Sequence, residues 1–142
     1  MADLDPTDGV ARLLDGLDLV AYDPTGKTGD LFVERMPSTP DAAVCLTLYD
    51  AGAPDARNAY DTVRMQVRTR GGPDPRTSRE RAWAIYRALH GLAGVELPDG
   101  TWLILAAARG TPGPMGADAQ GRHEHVVNFD LDVSSPSTHR TE

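Results

Sequence analysis

Two histidines near the C-terminal end of the chain come closest, by type and spacing, to a reactive site. His123 and His125 stand two positions apart in a segment with strand-like alternation, so both side chains point to the same side. With Asp118 or Asp130 as a further ligand, the pair could hold a divalent metal and serve a small metal-dependent enzyme. Two histidines without a defined third ligand are more typical of the start of a surface strand. We therefore expect no metal site, no cofactor and no catalytic residue.

Two other groups of residues are weaker candidates for chemistry. Gly26, Lys27 and Thr28 resemble part of a phosphate-binding loop, but that motif follows a strand and opens a helix. Here a helix precedes the segment and a strand follows it, so we predict a polar turn. Glu96 and Asp99 belong to one turn and do not make a convincing paired-carboxylate site.

The single cysteine, Cys45, is predicted to be a buried thiol. Its neighbours are apolar, and one cysteine cannot form an internal disulfide. The chain has 142 residues, of which 40% are hydrophobic and 25% charged, and this composition fits one globular domain. The acidic start of the chain is unlike a signal peptide, and no apolar run is long enough to cross a bilayer.

Hydrophobic periodicity predicts the elements that position these residues. A first helix is expected from a cap at Thr7 or Asp8 to about residue 19, and a second from a cap at Thr77 or Ser78 to a glycine at 91 or 94. Strands are predicted over residues 31–36, 43–49, 60–70, 101–108 and 123–133.

This order predicts an α+β domain, with a single sheet of about five largely antiparallel strands and both helices packed on one face. The first two strands are joined by a loop too short for a crossover helix, so we expect an antiparallel hairpin. The strand at 101–108 is apolar on both faces and is predicted near the centre of the sheet. Residues 110–121 are predicted to form a long irregular loop. We expect one domain over residues 1–133 and a disordered tail at 134–142.

Positive charge is concentrated in one part of an acidic chain. The net charge is −7, yet residues 57–87 contain eight arginines and three acids, a balance of +5 that leaves −12 for the rest. Such a basic strand and helix could contact an acidic partner or another copy of the chain, or could simply be solvated surface. The overall charge opposes binding to phosphates, so sequence-specific DNA binding is not expected.

A succession of short motifs runs through most of the chain. In chain order the motifs are Arg35-Met36-Pro37, Pro40-Asp41, Met65-Gln66-Val67-Arg68, Arg70-Gly71, residues 85–92 at the end of the second helix, Leu97-Pro98-Asp99-Gly100, residues 118–124, and Val127-Asn128-Phe129. This succession, over about residues 10–133, resembles that of siphophage tail terminator and minor capsid proteins, which join the phage head to the tail.

The resemblance implies a structural virion protein and not an enzyme. Such a protein would cap the head-proximal end of a tail tube as a homo-oligomeric ring, a hexamer, and would end tube polymerisation and offer the head-docking interface. Its partners would be its own copies, the major tail tube protein and a head-completion or connector protein, with no membrane involved. Genomic DNA would pass through the lumen without specific binding. Assembly would take place in the cytoplasm of the bacterial host, and the final location would be the head–tail junction of the virion.

Two sets of residues are our candidates for assembly contacts. Inter-subunit or tube contacts are expected at Arg64, Arg68, Arg70, Arg76 and Arg79. An assembly loop is expected within residues 110–121, with its contacts at Thr111, Pro114, Met115 and Asp118.

Other functions remain open at this point. The chain could be a different head–tail connector, a stopper or a tail-completion protein. It could be the small metal-dependent enzyme built on His123 and His125. It could also be a monomeric adaptor or an immunity-type binding module that uses the basic helix. Metal content and self-association distinguish these classes.

Overall fold

Both helices begin at a proline that directly follows a capping aspartate. Helix α1 spans Pro6–Gly16 and helix α2 spans Pro75–Leu89. Proline fits the first turn of a helix because its missing N–H needs no partner there. The preceding aspartate is the N-cap in each case: Asp5 accepts the N–H of Thr7 (3.1 Å), and Asp74 accepts that of Arg76 (3.0 Å).

The predicted helix boundaries were therefore wrong by a few residues. The caps predicted at Thr7 or Asp8, and at Thr77 or Ser78, lie inside the first turns, because the Asp-Pro pairs start both helices earlier. Helix α1 also ends at Gly16 and not near residue 19. The difference matters for Ser78, since a position inside α2 turns its side chain towards the sheet.

The structure, a computed structural model, describes residues 4–141 and forms one mixed sheet of seven strands over that range. The outer ends of the predicted domain and tail, residues 1–3 and 142, lie outside the described residues. The strands are β1 Leu31–Val33, β2 Ala43–Tyr49, β3 Tyr60–Arg70, β4 Ala93–Glu96, β5 Trp102–Ala108, β6 Gly113–Ala117 and β7 His123–Ser134. Their order is β1-β2-β3-β7-β5-β4, and β6 also pairs with β7.

Strands β1 and β2 are parallel, which corrects the predicted antiparallel hairpin. Leu31 pairs with Val44, and Val33 with Leu46. The chain leaves β1 at Glu34, whose φ of 69° is in the left-handed region and turns the backbone away. Residues 35–42 then bring the chain back to the start of β1. No helix is needed for this return because β1 has only three residues.

Strands β4 and β6 were not predicted. Strand β4 follows directly on the end of α2 and pairs with β5. Strand β6 lies within the segment predicted to be irregular, where Gly113 pairs with Val126 and Ala117 with His123. Both β5 and β6 run antiparallel to β7 on the same edge, so they act as one long strand interrupted at residues 109–112.

The core lies between the helices and one face of the sheet. Apolar side chains of α1, α2 and the central strands form one buried cluster that includes Leu14, Ile85, Met65 and Phe129. Both helices thus pack on the same face, as predicted. The alternation predicted for β3 and β7 is also confirmed, because every second residue of β7 from His125 to Val133 is buried.

Strand β5 is covered on one face only, contrary to the prediction of a strand apolar on both sides at the centre of the sheet. Leu103 and Ala106 are buried, but Trp102, Ile104 and Leu105 are 47%, 42% and 38% exposed. Strand β5 lies between β7 and the edge strand β4, and neither helix covers its other face.

The segment after β7 contacts the domain. Ser135 donates its N–H to the carbonyl of Ala59 (2.8 Å), and Arg140 forms an ion pair with Asp61 (Nη2–Oδ2, 2.9 Å). Disorder of this tail was expected from its composition, and its behaviour in solution stays a prediction. Within residues 4–141, no helix is long and apolar enough to cross a membrane.

Candidate functional site

The buried histidine of the pair joins α2 to β7. His125 is 5% exposed, and its Nδ1 lies 2.7 Å from the hydroxyl of Ser78. Burial lowers the pKa of His125, and the positive charges of Arg79 and His123 lower it further. These effects favour the neutral imidazole, which is hydrogen-bonded inside the domain.

The metal-site alternative loses both of its proposed third ligands. Asp118 accepts from the Nε of Arg122 (2.8 Å) and from that residue's backbone N–H (2.9 Å), and these bonds lower the pKa of Asp118. Successive side chains of a strand point to opposite faces. Asp130 is separated from His123 and from His125 by an odd number of positions, so it lies on the opposite face of β7 from both histidines. Among residues 4–141, no group of three or more His, Cys, Asp or Glu side chains is arranged to hold a metal ion.

The loop that resembles a phosphate-binding motif satisfies its own amides. The carboxylate of Asp23 accepts the backbone N–H groups of Thr25 (3.0 Å), Lys27 (3.2 Å) and Thr28 (3.0 Å). These bonds hold the pKa of Asp23 well below its usual range. A carboxylate therefore takes the donors that a phosphate would need, in agreement with a polar turn.

The other two candidates for chemistry are also structural. Asp99 accepts from the Oγ1 of Thr101 (2.6 Å) and from the backbone N–H of Asp5 (2.9 Å), so it ties the turn to the start of α1. Cys45 is 4% exposed, which confirms a buried thiol, and burial raises its pKa.

The basic face predicted on β3 is neutralised within the chain. Arg64 pairs with Asp130 (Nε–Oδ1, 3.3 Å), and Arg68 with Glu124 (Nε–Oε1, 2.9 Å). Arg109 reaches Asp130 as well (3.3 Å). These acids project from β7, the neighbour of β3, on the sheet face that points away from the helices. This outer face therefore carries paired charges, which weakens the case for Arg64 and Arg68 as contacts.

Arg70 has a role inside the protein. Its side chain is buried, and its guanidinium donates to the carbonyls of Pro37 (2.7 Å), Pro40 (2.7 Å) and Asp41 (2.9 Å). It thereby holds the loop that returns the chain from β1 to β2. We remove Arg70 from the candidate contacts, because it offers almost no surface to a partner.

The exposed side of α2 carries cations and an aromatic ring, and we call Arg79, Trp83 and Arg87 the helix surface. The guanidinium of Arg87 lies 5.2 Å from the centroid of the Trp83 ring, which is a cation–π contact. Within residues 4–141, no carboxylate lies within 4.0 Å of the guanidinium of Arg79 or of Arg87. Arg76, by contrast, pairs with Asp74 (3.0 Å).

Two more exposed regions complete the candidate surfaces. Apolar side chains gather on the outer face at one end of the sheet, and we call Tyr60, Trp102, Ile104 and Leu105 the sheet patch. The second region is β6, where Met115 is 51% exposed and where Thr111 and Pro114 are exposed as well. Strand β6 pairs only with β7 among the described strands, so its other edge is open.

Of the residues in these exposed surfaces, Arg79 is among the contacts expected from the sequence, whereas Trp83, Arg87 and the sheet patch are not. Trp102 and Ile104 alternate with Leu103 in the sequence, and this was interpreted as burial on both faces. The number of predicted helices could have indicated this exposed face. Two helices that pack on one face of a sheet leave its other face uncovered.

A family model described as bacteriophage tail terminator protein matches residues 13–134. The matched range contains α2 and all seven strands. No curated protein matches the chain.

Proposed function

The chain belongs to the bacteriophage tail terminator family, and on that premise we propose that it caps the head-proximal end of a phage tail tube as a homo-oligomeric ring. The single observation that carries this proposal is the family match, because it spans the whole sheet and α2. The family places the chain in the virion as a structural component of the tail. The hexameric ring, the end of tube polymerisation and the docking of the head belong to the proposal.

The open edge of β6 is the surface that we assign to the major tail tube protein. An unpaired edge strand offers main-chain N–H and C=O groups that a strand of another protein can bind. Residues Gly113–Ala117 carry no charged side chain, so a partner can approach this edge without desolvating an ion. The exposed side chain of Met115 adds an adaptable apolar contact beside the edge. Asp118 shapes the turn after β6 through Arg122 and is not itself assigned a contact.

The remaining partners follow from the same placement. The ring would present its other side to a head-completion or connector protein. Genomic DNA would pass through the lumen without specific binding, and the net charge of −7 supports this because acidic surfaces do not retain phosphates. Assembly would take place in the host cytoplasm. We assign no catalytic step, and the side chains considered for one, such as His125 and Asp118, have structural partners.

Electron microscopy of the protein mixed with tail tubes from the same genome tests the proposal. We expect rings in the free protein, and caps confined to one end of each tube, with native mass spectrometry giving the number of copies. Shorter tubes should result when the protein is present during polymerisation. A chain that stays monomeric and leaves both tube ends bare would contradict the proposal. Binding to connector complexes but not to tubes would favour a stopper instead.

A matched pair of variants tests the role assigned to β6. Met115→Asp places a charge beside the open edge and should abolish capping without changing the number of copies in the free ring. Leu17→Asp is the control, because Leu17 is equally exposed (51%) but lies at the end of α1. Equal capping by the two variants would remove β6 from the proposal.

A further inference from the structure

We propose that neighbouring copies of this chain meet head to tail, with the helix surface of one copy against the sheet patch of the next. This inference rests on the proposed ring and specifies which surfaces close it. It concerns contacts between copies only and is independent of the tube contact assigned to β6.

The residue types in the helix surface are those found at the centre of many protein–protein interfaces. Arginine and tryptophan are enriched among the residues that contribute most to binding between proteins. Here Arg87 is stacked on Trp83, which orients its guanidinium before any partner arrives and reduces the entropy lost on binding. Arg79 lies one turn before Trp83, on the same side of α2, and both arginines lack an ion-pair partner among residues 4–141. The surface thus presents two cations without an ion-pair partner around a large ring, and the exposed carboxylate of Glu80 lies beside them.

The sheet patch lies on the opposite side of the domain, on the face of the sheet that the helices leave uncovered. Leu103 pairs with Val133, which places Trp102 beside Ser134, and Ser134 is paired on its other side with Tyr60. A register shift in β5 brings Leu105 to the same face as Trp102. The four patch residues are between 38% and 47% exposed. Exposed clusters of this kind typically mark a binding site in a soluble protein.

Acidic side chains border this patch. Glu96 of β4 is the cross-strand partner of Trp102 in β5, and Asp132 of β7 is the cross-strand partner of Leu105 in β5. Neither carboxylate has a cation within 4.0 Å among residues 4–141, although Asp132 accepts the hydroxyl of Thr62 (2.5 Å). Two available carboxylates around an apolar centre are the complement of two available arginines around a tryptophan.

The positions of the two surfaces favour a head-to-tail contact. Buried Ile85 and Leu89 turn one side of α2 to the sheet, so the helix surface points away from it, while the sheet patch is on the sheet's other face. Two helix surfaces facing each other would bring four arginines together with only the two Glu80 carboxylates to offset them, whereas the sheet patch offers apolar side chains and further carboxylates. A contact between different patches on opposite sides adds copies in one direction and gives a ring when the rotation closes.

Mixing two variants tests the inference. Arg79→Glu combined with Arg87→Glu disables the helix surface, and Trp102→Asp combined with Ile104→Asp disables the sheet patch. Each variant alone should form no rings, with binding between copies weakened by about 100-fold or more. An equimolar mixture should form a 1:1 heterodimer and nothing larger, because one intact helix surface then meets one intact sheet patch. Native mass spectrometry of the two variants, mixed with and without tail tubes, measures this.

Matched controls separate surface effects from unfolding. Arg57→Glu reverses an exposed charge outside both surfaces, and Leu17→Asp places a charge on an exposed apolar residue elsewhere, so both should form wild-type rings. Circular dichroism confirms that each variant is folded. Arg79→Gln with Arg87→Gln, and Trp102→Ala, replace any variant that fails to fold.

The outcomes distinguish this inference from the proposed function. Rings that survive either disabling variant, or a mixture that stays monomeric, would overturn the inference while the wild-type rings and caps still stand. A wild-type chain that is monomeric with and without tubes would overturn the proposed function and this inference together.

Discussion

The hydroxyl of Ser78 lies 2.7 Å from Nδ1 of His125, and this hydrogen bond fastens α2 to the central strand β7. Burial, with Arg79 and His123 nearby, lowers the pKa of His125 below its ordinary value of 6.5. The unfolded chain therefore binds a proton more readily than the folded chain. The stability contributed by the neutral ring is present above the unfolded pKa and is lost as the pH falls towards the folded pKa.

Acidification should accordingly destabilise the protein through His125. Between about pH 7.5 and about pH 5.5, the free energy of unfolding should fall more steeply for the wild type than for His125→Gln, which has no titrating ring. Urea unfolding at several pH values measures both slopes. His139→Gln removes an exposed histidine and should retain the wild-type slope. Equal slopes for wild type and His125→Gln would contradict the prediction.

Replacement of Arg70 should weaken folding much more than replacement of Arg64. Arg70→Met leaves three carbonyl groups of the loop at Pro37, Pro40 and Asp41 without their donor, at a cost of about 3 kcal/mol in the free energy of unfolding. Arg64→Met breaks a half-exposed ion pair and should cost about 1 kcal/mol or less. Urea unfolding compares the two, and similar losses would show that Arg70 does not hold the loop.

Alanine at Gly9 should destabilise α1, although alanine normally favours a helix. A Cβ at Gly9 would overlap the carboxylate of Asp99 and lie 3.0 Å from the Cβ of Leu97. Asp99 cannot move aside without losing its bonds to Asp5 and Thr101, so we expect a loss of about 1–3 kcal/mol.

The matched change for this prediction is Gly16→Ala in the last turn of α1. Apart from the neighbouring residues and the backbone of α1 itself, no atom of residues 4–141 lies within 4 Å of the added Cβ there, and stability should be unchanged or rise by about 0.5 kcal/mol. Thermal unfolding of both variants shows whether each substitution lowers or raises the stability. A stabilised Gly9→Ala would mean that α1 packs less closely than described.

Loss of the Arg140 side chain should loosen the loop before β3. Its guanidinium donates to the carbonyls of Asp55 (3.0 Å) and Asn58 (3.1 Å) and pairs with Asp61, whose pKa is lowered by this bond. In Arg140→Ala, the N–H of Ser135 should exchange with solvent about 10-fold faster. Hydrogen exchange measures this, with Arg57→Ala as control. Unchanged exchange would mean that the tail is disordered in solution, as its composition suggested.

Local patterns predicted the parts of the fold that depend on nearest neighbours. The period-two alternation around Met65 and Phe129 identified the buried faces of β3 and β7, because side chains of a strand must alternate. The same reasoning failed for β1 and β2, whose parallel pairing depends on a loop held by Arg70, a residue about 30 positions further along the chain.

The candidate contacts depended even more on distant pairing. Arg64 and Arg68 form a basic stripe in the sequence, but the register of β3 with β7 places Asp130 opposite Arg64 and brings Glu124 to Arg68. Only that register shows that the charges cancel. Arg79 was named as a candidate contact from its place in the basic segment, and that contact stays a prediction. The sheet patch required knowledge of which face the helices cover.

The position of β7 in the sheet has a consequence for synthesis of the protein. Among the strands described for residues 4–141 it comes last in sequence, yet it fills the middle of the sheet between β3 on one side and β5 and β6 on the other. While a ribosome is still making the chain, the sheet lacks its central strand, and the edges of β3 and β5 stay unpaired. The complete sheet can therefore form only after residues up to 134 have been synthesised and have left the ribosome. Until then the two halves of the sheet have no common strand to join them.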